Sequence, residues 1–466
     1  MGQNFIADTV DQTLLFPASL HDWLPEGHLA RFIVDVVSAL DLGAISTSYQ
    51  DKDGRGQAAY APEMMVRLLL YGYARGVYSS RKIQTRTFED IAFRYLSGDQ
   101  HPDHATIAEF RKRHLEALSG LFMQALRLCS EAGLVKLGHV SIDGTKIKAN
   151  ASKHKAMSYA RMNETEARLK QEIDALLAAA EKIDTEEDAQ YGKDRHGDEL
   201  PAELQRRESR LQKLGEAKAA LEQEAKEEAA QQRAEQEQKL AEREAEEQRT
   251  GKKKGGRKAE PCDPEQATPD NTAQRNFTDP ESRIMPDGAN KGSFVQGYNA
   301  QIAVDSASQV IVAAEVTQET NDKKQLLPMI ALIAANLEQK PEKVSADTGY
   351  FSEANVTDAS VKDVDLYIAT GRDKHGEVVK MTGDPPPPDA SPKEAMREKL
   401  RPEAGGAVYK MRKAIVEPVF GQIKEQRGFR RFSLRGKENV SREWQLVCAV
   451  SNLLKLFRTG RVFEMG

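Results

Sequence analysis

The chain is poor in cysteine and in long apolar segments. Three of its 466 residues are cysteine, at positions 129, 262 and 448, and their wide spacing matches neither a zinc site nor a redox pair. This usage argues against a disulfide scaffold and indicates a reducing compartment. No apolar run reaches the roughly 18–20 residues that span a bilayer, and no basic-then-apolar signal opens the chain. The sequence therefore predicts a soluble, cytoplasmic protein without a membrane partner.

Net charge is also low, and its distribution is more informative than its sum. The formal net charge is −5, yet residues 161–250 carry a net −9 and residues 405–466 carry a net +8. A phosphate-backbone partner is recognised by local basic surface rather than by the average over the chain. The C-terminal region is therefore where a nucleic acid contact is expected.

Residues 1–136 have a helical pattern. Apolar residues in Leu29–Val37 repeat near the helical period, and Asp103 is placed to cap a helix that ends in basic residues. Arg111 and Arg113 on that helix are candidates for contacts with DNA phosphates. A solvated helix face fits the same pattern equally well.

Residues 156–250 change character and are rich in Ala, Glu, Gln, Lys and Arg. Apolar residues between Leu169 and Ile183 follow a 4-3 spacing that is typical of a coiled coil, and the pattern resumes between Leu200 and Ala225. A break at 191–198 predicts an antiparallel helical hairpin, either self-contained or paired with a second subunit. Residues 251–292, which begin with a lysine run, are predicted to be a basic flexible linker, solvated or in contact with DNA.

Strand patterns dominate from residue 294 onward. Residues 298–305 and 309–316 alternate around a short turn, residues 323–337 form an amphipathic pattern, and 343–346 predict a further strand. With the strand that precedes Asp143, these elements predict an α/β layer with a long insertion after its first strand.

Three separated carboxylates accompany these elements. Asp143 is expected at the end of the first strand, Asp347 follows a later strand, and Glu417 lies on a C-terminal helix. Magnesium prefers oxygen ligands, and two ions roughly 3.5–4 Å apart assist in-line phosphoryl displacement. As alternatives, an Asp before Gly144 is often a turn former, Asp347 could cap a turn, and Asp305 is a rival acid at a hairpin.

Helical spacing places basic residues around Glu417. Lys424 follows two turns later, Lys413 precedes by one turn and Tyr409 by two, so all share one face. This face suits an acid that meets both a metal and a phosphate backbone, although an ordinary surface with i, i+4 pairs has the same spacing. Pro418 is unfavourable in the middle of a helix, because proline has no backbone N–H to donate.

Four segments complete the pattern: Ser141–Ser152, Gly297–Gln301, Ala346–Tyr350 and Val416–Lys424. With them the chain resembles the DDE-type insertion-sequence transposases that have a ribonuclease-H-like catalytic domain. The resemblance covers most of the chain outside residues 156–290. It implies an α/β fold with a ribonuclease-H-like mixed sheet and flanking helices, preceded by a helical N-terminal domain and interrupted by a helical coiled-coil insertion.

The resemblance and the composition together predict five segments. They are a helical N-terminal DNA-binding or dimerisation domain (1–136), the first part of the catalytic domain (137–155), a coiled-coil helical hairpin insertion (156–250), a basic flexible linker (251–292) and the remainder of the catalytic domain (293–466).

The resemblance implies that Asp143, Asp347 and Glu417 are the catalytic acids and hold two Mg²⁺ or Mn²⁺ ions. It also implies a tyrosine-arginine-glutamate-lysine signature, which Tyr409, Arg412, Glu417 and Lys424 resemble. The gap from arginine to glutamate is one residue longer than usual, and Lys413 stands at the usual offset. The predicted DNA-binding residues are Tyr409, Arg412, Lys413, Lys424, Lys146, Lys148, Arg111 and Arg113.

The implied activity is metal-dependent cleavage of double-stranded DNA at the ends of an insertion sequence, followed by strand transfer into target DNA. The implied partners are transposon ends, target DNA and a second copy of the chain in a homodimeric synaptic complex, at the nucleoid in the cytoplasm. Two alternatives are a structure-specific nuclease on the same core without strand transfer and a non-catalytic DNA-binding scaffold.

Overall fold

The computed structural model describes residues 19–49, 58–191, 202–250, 263–287, 292–371, 390–401 and 403–460. These residues divide into two compact units. The first contains the described residues up to Ile147 and from Asn299 onward, and the second contains those of Lys148–Tyr298. Among the described residues, no helix is both long and apolar enough to cross a membrane.

Helices and strands are numbered here along the described chain. The strands are β1 (His139–Lys148), β2 (Ala156–Ser158), β3 (Gln274–Asn276), β4 (Arg283–Pro286), β5 (Phe294–Asp305), β6 (Ile311–Thr317), β7 (Lys343–Ala346) and β8 (Asp365–Ile368). The helices are α1 (Leu29–Ala39), α2 (Gly43–Thr47), α3 (Pro62–Ala74), α4 (Ser80–Glu89), α5 (Ile91–Ser97), α6 (His104–Arg113), α7 (Leu115–Glu131), α8 (Tyr159–Tyr191), α9 (Ala202–Thr250), α10 (Leu326–Leu337), α11 (Glu353–Thr357), α12 (Pro392–Leu400), α13 (Glu403–Gly421) and α14 (Lys437–Arg458).

The N-terminal part of the first unit is helical, as predicted. Pro62 occupies the first position of α3, where its missing N–H is not needed. Asp90 caps α5 and Asp103 caps α6, and each carboxylate accepts hydrogen bonds from two backbone N–H groups of its helix. These local signals explain where the helices begin.

A mixed sheet forms the centre of the first unit, in the order β6–β5–β1–β7–β8. The β5–β6 pair is antiparallel, whereas β1, β7 and β8 are mutually parallel. The Ser306 N–H donates to the His139 carbonyl at one end of β1, and the Ala149 N–H donates to the Gln296 carbonyl at the other. The β1 and β5 strands therefore run antiparallel. The predicted mixed α/β layer is confirmed.

Helix α14 joins the sheet to the N-terminal helices, because it contacts both β6 and α7. Its Trp444 is fully buried, and the indole N–H donates to the Gln301 carbonyl at 3.1 Å. Asn452 bonds both the N–H and the carbonyl of Ile311 on β6, each at 2.8 Å. Cys129 and Cys448 lie buried and unpaired in this core. The sheet therefore rests on a rigid helical layer.

The expected end of the first strand at Asp143 is wrong. Strand β1 continues through Asp143 and Gly144 to Lys148. Ile147 is completely buried, and pairing with β5 persists as far as Ala149. Burial and cross-strand hydrogen bonds thus outweigh the turn tendency of an Asp-Gly pair.

In the second unit, α8 and α9 lie side by side and run antiparallel. Glu166 pairs with Lys218 at 2.9 Å, and Glu172 pairs with Arg207 at 3.1 Å, so rising numbers on one helix meet falling numbers on the other. Between the helices lies a buried apolar cluster of Met162, Leu169, Leu214, Ala217 and Leu221. The predicted break at 191–198 falls almost entirely outside the described residues.

Two further pairings order the second unit. Strand β2 pairs with β3, and β4 pairs with the first residues of β5, both antiparallel. Strands β3 and β4 lie within the predicted linker 251–292, so this part of that segment is ordered rather than flexible, because its backbone is hydrogen-bonded to neighbouring strands. The basic run at 251–258 lies outside the described residues.

Candidate active site

Two of the predicted acids are aligned on neighbouring parallel strands. The register of β1 with β7 pairs Val140 with Val344 and Ser141 with Ser345. Asp143 and Asp347 each come two residues after the paired serines, and the charge of Asp347 acts to raise the pKa of Asp143. The Ser141 and Ser345 hydroxyls contact each other at 2.7 Å and are fully buried. Because side chains alternate along a strand, the two aspartates follow these serines on the same face.

The Asp143 carboxyl lies in a poorly solvated position. Burial raises its pKa to about 6, opposed by Arg412 and reinforced by the nearby Asp347. One carboxylate oxygen accepts the Gly144 N–H at 2.8 Å. A raised carboxyl pKa beside a second acid is a frequent feature of functional sites, because burial and like charge both disfavour ionisation.

A third acid, Asp322, lies beside this pair. Its Oδ1 accepts hydrogen bonds from Asn299 Nδ2 at 2.6 Å and from Gln301 Nε2 at 2.7 Å. Both amides are on β5, two residues apart and therefore on one face. The Tyr350 hydroxyl donates to Gln301 Oε1 and fixes the orientation of that amide.

Gly144 allows this polar cluster to approach β1. A Cβ at this position would lie 2.2 Å from Gln301 Nε2 and 2.9 Å from both Asn299 Oδ1 and Asp322 Oδ1. A side chain here would force these hydrogen-bonded groups to shift. The glycine after Asp143 is thus required for close approach inside a strand, and not for a turn.

Lys146 places a cation among the aspartates. Its Nζ lies 3.8 Å from Asp322, and its side chain is mostly buried. Burial lowers the pKa of Lys146, while Asp322, Asp347 and Asp143 act to raise it. The ammonium group therefore offsets part of the negative charge of the site.

Helix α13 brings Arg412 and Glu417 to the same site. Arg412 Nη1 donates to Asp143 Oδ2 at 3.0 Å, and its Nη2 lies 3.8 Å from Glu417 Oε1. Arg412 is 8% exposed, whereas the Glu417 side chain is 55% exposed. Lys413, which has the usual offset of the signature, is exposed. Of the two basic residues, it is Arg412 that contacts the acids.

Pro418 is accommodated within α13 by a contact from outside the helix. A proline at this position cannot donate to the Ala414 carbonyl four residues earlier. Gln309 Nε2 donates to that carbonyl at 2.9 Å instead. The chain then forms a π-helical turn at Gln422–Gln426. This turn carries Lys424, whose Nζ donates to Thr145 Oγ1 on β1 at 2.9 Å.

The remaining predicted DNA-binding residues are dispersed. Tyr409 is half-buried on α13, close enough to Arg412 to influence its pKa. Lys148 is exposed in the second unit. Arg111 donates to the Tyr78 carbonyl at 2.9 Å, and Arg113 lies 3.5 Å from Glu109. Arg111 therefore has a structural partner within the helical region, and the DNA contacts of all these residues stay predictions.

Asp305, the rival acid, has a structural setting. Its Oδ2 accepts the Leu137 N–H at 2.7 Å, and its Oδ1 accepts the Ala307 N–H at 2.8 Å. These contacts hold the β5–β6 turn against the start of β1. Within the described residues, no group of three or more His, Cys, Asp or Glu side chains is arranged closely enough to hold a metal ion.

Asp322 is the site residue that sequence reasoning missed. It precedes α10 and has the ordinary pattern of an acid near a helix start. The signal that could have indicated it is the pair Asn299 and Gln301, two amides on one face of a strand that is buried over most of its length. Buried amides need partners, so a nearby acceptor was to be expected.

Two segments of the chain match known protein families. Residues 267–453 match the Transposase DDE domain, and residues 18–113 match the Transposase domain (DUF772). Asp347, Glu417 and the residues of α13 lie inside the first match, while Asp143 lies between the two. No significant match was found among curated proteins or solved structures. The two family matches support an insertion-sequence transposase of the DDE type.

Proposed function

We propose that this protein cleaves DNA at the ends of an insertion sequence and joins those ends to target DNA, in a reaction that depends on Mg²⁺ or Mn²⁺. The observation that supports the proposal is that Asp143 and Asp347 each lie two residues after the paired Ser141 and Ser345, with Arg412 in contact with Asp143 and 3.8 Å from Glu417. Neither a nuclease without strand transfer nor a non-catalytic scaffold is favoured by the two transposase family matches.

The sheet supports a ribonuclease-H-like catalytic domain. Three antiparallel strands, β1, β5 and β6, come first along the chain, and the parallel strands β7 and β8 follow beyond α10. Asp143 lies on the central strand β1, and Asp347 directly follows β7, the parallel strand beside it. We further propose that the α8–α9 hairpin is a coiled-coil insertion into this domain and that the helical N-terminal region binds DNA or dimerises.

The donor atoms suit a hard divalent cation. Carboxylate oxygens come from Asp143 and Asp347, and the buried Asn299 Oδ1 has no hydrogen-bond partner among the described residues. Arg412 presently neutralises Asp143 and contacts Glu417, so its guanidinium must move before Glu417 can join the aspartates as a ligand. Asp143, Asp347 and Glu417 would hold the ions, which would activate a water nucleophile and stabilise the leaving oxygen.

The basic residues around the acids position the DNA. Lys424 reaches β1 through Thr145, and Lys146 lies among the aspartates, so both ammonium groups border the proposed reaction centre. Phosphate contacts by Arg412, Lys424 and Lys146 would hold the scissile phosphodiester in line with its attacking oxygen. Cleavage frees a 3′-hydroxyl, which then attacks target DNA directly, so no covalent protein–DNA link is formed.

Synapsis of two DNA ends requires two active sites, so we propose a homodimer as the working form, at the nucleoid where its DNA lies. The α8–α9 hairpin is a candidate for the pairing, although its own buried cluster is satisfied within one chain. The mass of the protein in solution, with and without DNA ends, tests the dimer.

The central test is Asp143→Asn in the full chain. We expect it to abolish Mg²⁺-dependent cleavage of a transposon end while leaving binding of that end largely intact, because the substitution removes a ligand charge without changing size. Asp363→Asn, at an exposed carboxylate before β8, serves as the control and should stay active. A fully active Asp143→Asn protein would contradict the assignment.

A second assay separates transposase from nuclease. A pre-cleaved end is incubated with target plasmid, and only a transposase joins the two. Binding of Mn²⁺ is measured independently by electron paramagnetic resonance, and Asp347→Ala should remove it. If the protein joined the DNA molecules but Asp347→Ala left Mn²⁺ binding unchanged, the reaction would not depend on the proposed metal site.

A further inference from the structure

A cavity with a basic lining lies within the first unit. It has a volume of about 610 Å³ and lies between the start of α1, the end of α3, the π-helical turn and α14. Gln422 and Gln426 of the π-helical turn line it, whereas Lys424 of the same turn contacts Thr145 on β1. The cavity is thus built from elements that also support the candidate active site, but none of the predicted acids lines it.

The lining of this cavity is basic. Four of its residues carry or can carry positive charge, namely His28, Arg75, Arg427 and Arg458, and none of the lining residues is acidic. The side chains of Arg75 and Arg458 are exposed and have no ion-pair partner within the part of the chain that the structure describes. The cavity therefore concentrates positive charge without internal compensation.

Arg427 is the most constrained of these residues. It is 7% exposed, its Nη2 donates to Ser451 Oγ, and its Nε donates to the Gln422 carbonyl at 3.4 Å. Its Nη1 is buried without a hydrogen-bond partner among the described residues. A buried guanidinium with an unsatisfied donor and no carboxylate is unfavourable unless an anion joins it.

Neighbouring cations add to the uncompensated positive charge of this cavity. Burial lowers the pKa of Arg427, and Arg458 lowers it further. Burial also lowers the pKa of Lys455 to about 8, with contributions from Arg458 and Arg427. Asp90 acts to raise the pKa of His28, but its carboxylate already accepts hydrogen bonds from the backbone at the start of α5. Among the described residues, the groups that act on Arg427 and Lys455 from these elements thus include further cations, and none of the residues that line the cavity is acidic.

We propose that this cavity binds the phosphate group of a nucleotide or of a DNA strand. Guanidinium groups match phosphate oxygens in a planar, bidentate geometry, and several arginines around one cavity suit an anion with three or more acceptor oxygens better than a carboxylate. The amides of Gln422 and Gln426 add donors, and Tyr71 and Phe457 supply an aromatic wall for the organic part of the ligand.

This site goes beyond the proposed transposition chemistry and does not depend on it. Phosphate binding here needs neither Asp143 nor a divalent metal. If phosphate does not bind here, the proposed metal site is unaffected. If the metal does not bind at the acids, the proposal for this cavity is unaffected. The two proposals are therefore tested separately.

The test measures binding by the full-length protein in the presence of EDTA at low ionic strength. The probes are inorganic pyrophosphate, deoxyadenosine monophosphate and a short DNA duplex of arbitrary sequence, with acetate as the control anion. Arg75→Ala and Arg458→Ala remove exposed cavity arginines without disturbing the core. Arg67→Ala, on the same helix α3 as the cavity wall but not lining it, is the matched control.

We expect the phosphate probes to bind and each cavity variant to weaken binding by about tenfold or more, because a charged hydrogen bond is lost. Arg67→Ala should bind as the unaltered protein does, and acetate should not compete. Binding of the small probes identifies a nucleotide site, whereas an effect confined to the duplex identifies a DNA-backbone contact. If no phosphate probe binds, or if either cavity variant binds all of them unchanged, the proposal is overturned.

Discussion

The candidate site in the first unit and the helix surfaces of the α8–α9 hairpin in the second differ in how far apart along the chain their contacting residues lie. In the first unit, Arg412 meets Asp143 across 269 positions, and Lys424 meets Thr145 across 279. In the second unit, ion pairs such as Lys170–Glu166 and Arg233–Glu237 join residues four positions apart on one helix. The candidate site therefore depends on tertiary packing, whereas much of the hairpin surface follows from local helical spacing.

This difference implies different sensitivities to mutation. Most groups in the site, apart from Glu417, are largely buried, and small changes there meet closely packed neighbours. The hairpin has one modest apolar cluster, and its surface pairs are exposed to solvent, so most substitutions there should be mild. The predictions below test that contrast in order of expected size.

The largest stability effect is expected at the centre of the hairpin. Leu214→Ala removes a side chain that is 3% exposed in the cluster with Met162, Leu169 and Leu221. The substitution removes buried apolar surface and leaves a cavity, so the free energy of unfolding of the hairpin should fall by about 2–5 kcal/mol. Hydrogen exchange should show faster exchange in α8 and α9, with unchanged protection in β1 and β7.

Leu177→Ala is the matched control, because this leucine on α8 is 41% exposed. It should change stability by less than about 0.5 kcal/mol. If Leu214→Ala also removed the protection of β1 and β7 against hydrogen exchange, the two units would unfold together. The expected difference in sensitivity between the hairpin and the candidate site would then be wrong.

Gly144→Ala should be the most damaging small change in the site. The added methyl would lie 2.2 Å from Gln301 Nε2, so the amide cluster around Asp322 must shift. Overpacking of this kind lowers stability by about 1–3 kcal/mol. Thermal unfolding measures the loss, and Mn²⁺ binding should weaken with it.

Gly120→Ala is the matched control for that change. Gly120 lies inside α7, and nothing would meet its Cβ within 4 Å. Alanine is the better helix former, so this protein should gain up to about 1 kcal/mol. Equal losses at both glycines would show that the close approach at Gly144 is unimportant.

Proton binding should compete with metal binding at Asp143. Its pKa is raised to about 6, so the folded protein retains a proton there that an ordinary aspartate would have lost. Apparent Mn²⁺ affinity should therefore rise between about pH 5 and pH 7, by up to tenfold per unit below the pKa, and level off above it. Titration calorimetry at several pH values measures this, and a flat profile would argue against Asp143 as a ligand.

The sequence predicted those parts of the fold that follow from local patterns. Alternation in β5 and β6 and helical spacing in α1, α8 and α10 depend on neighbouring residues, and they indicate the elements found. The two strands that carry Asp143 and Asp347 were expected for the same reason. Their exact pairing was not, because register is set by burial and cross-strand contacts that a single sequence does not reveal.

The candidate site was predicted in part. The sequence pattern and the family resemblance indicate Asp143, Asp347 and Glu417, and they indicate Arg412 in spite of its spacing. Asp322 was missed, because its partners Asn299 and Gln301 are more than twenty positions away. The position of Gly144 inside a strand was also unexpected, since the Asp-Gly pair normally favours a turn and only tertiary packing overrides it.

The smallest effect is expected on the hairpin surface. Glu166 lies 2.7 Å from Lys170 on its own helix and 2.9 Å from Lys218 on α9, and hydrogen bonds from these two lysines lower its pKa. Because the folded pKa is depressed, the stabilisation is present at neutral pH and is lost as pH falls through that pKa. Glu166→Gln should therefore lower stability by only about 0.2–1 kcal/mol at neutral pH.

Salt should reduce this small effect further, since partly exposed pairs are screened. Glu164→Gln, at an exposed glutamate two residues earlier on α8, is the control and should have no measurable effect. Denaturant unfolding at low and high salt measures both variants. A loss at Glu166 comparable to that of Leu214→Ala would mean that the hairpin is stabilised by charge rather than by its apolar cluster, and that the two units differ less than their contacts indicate.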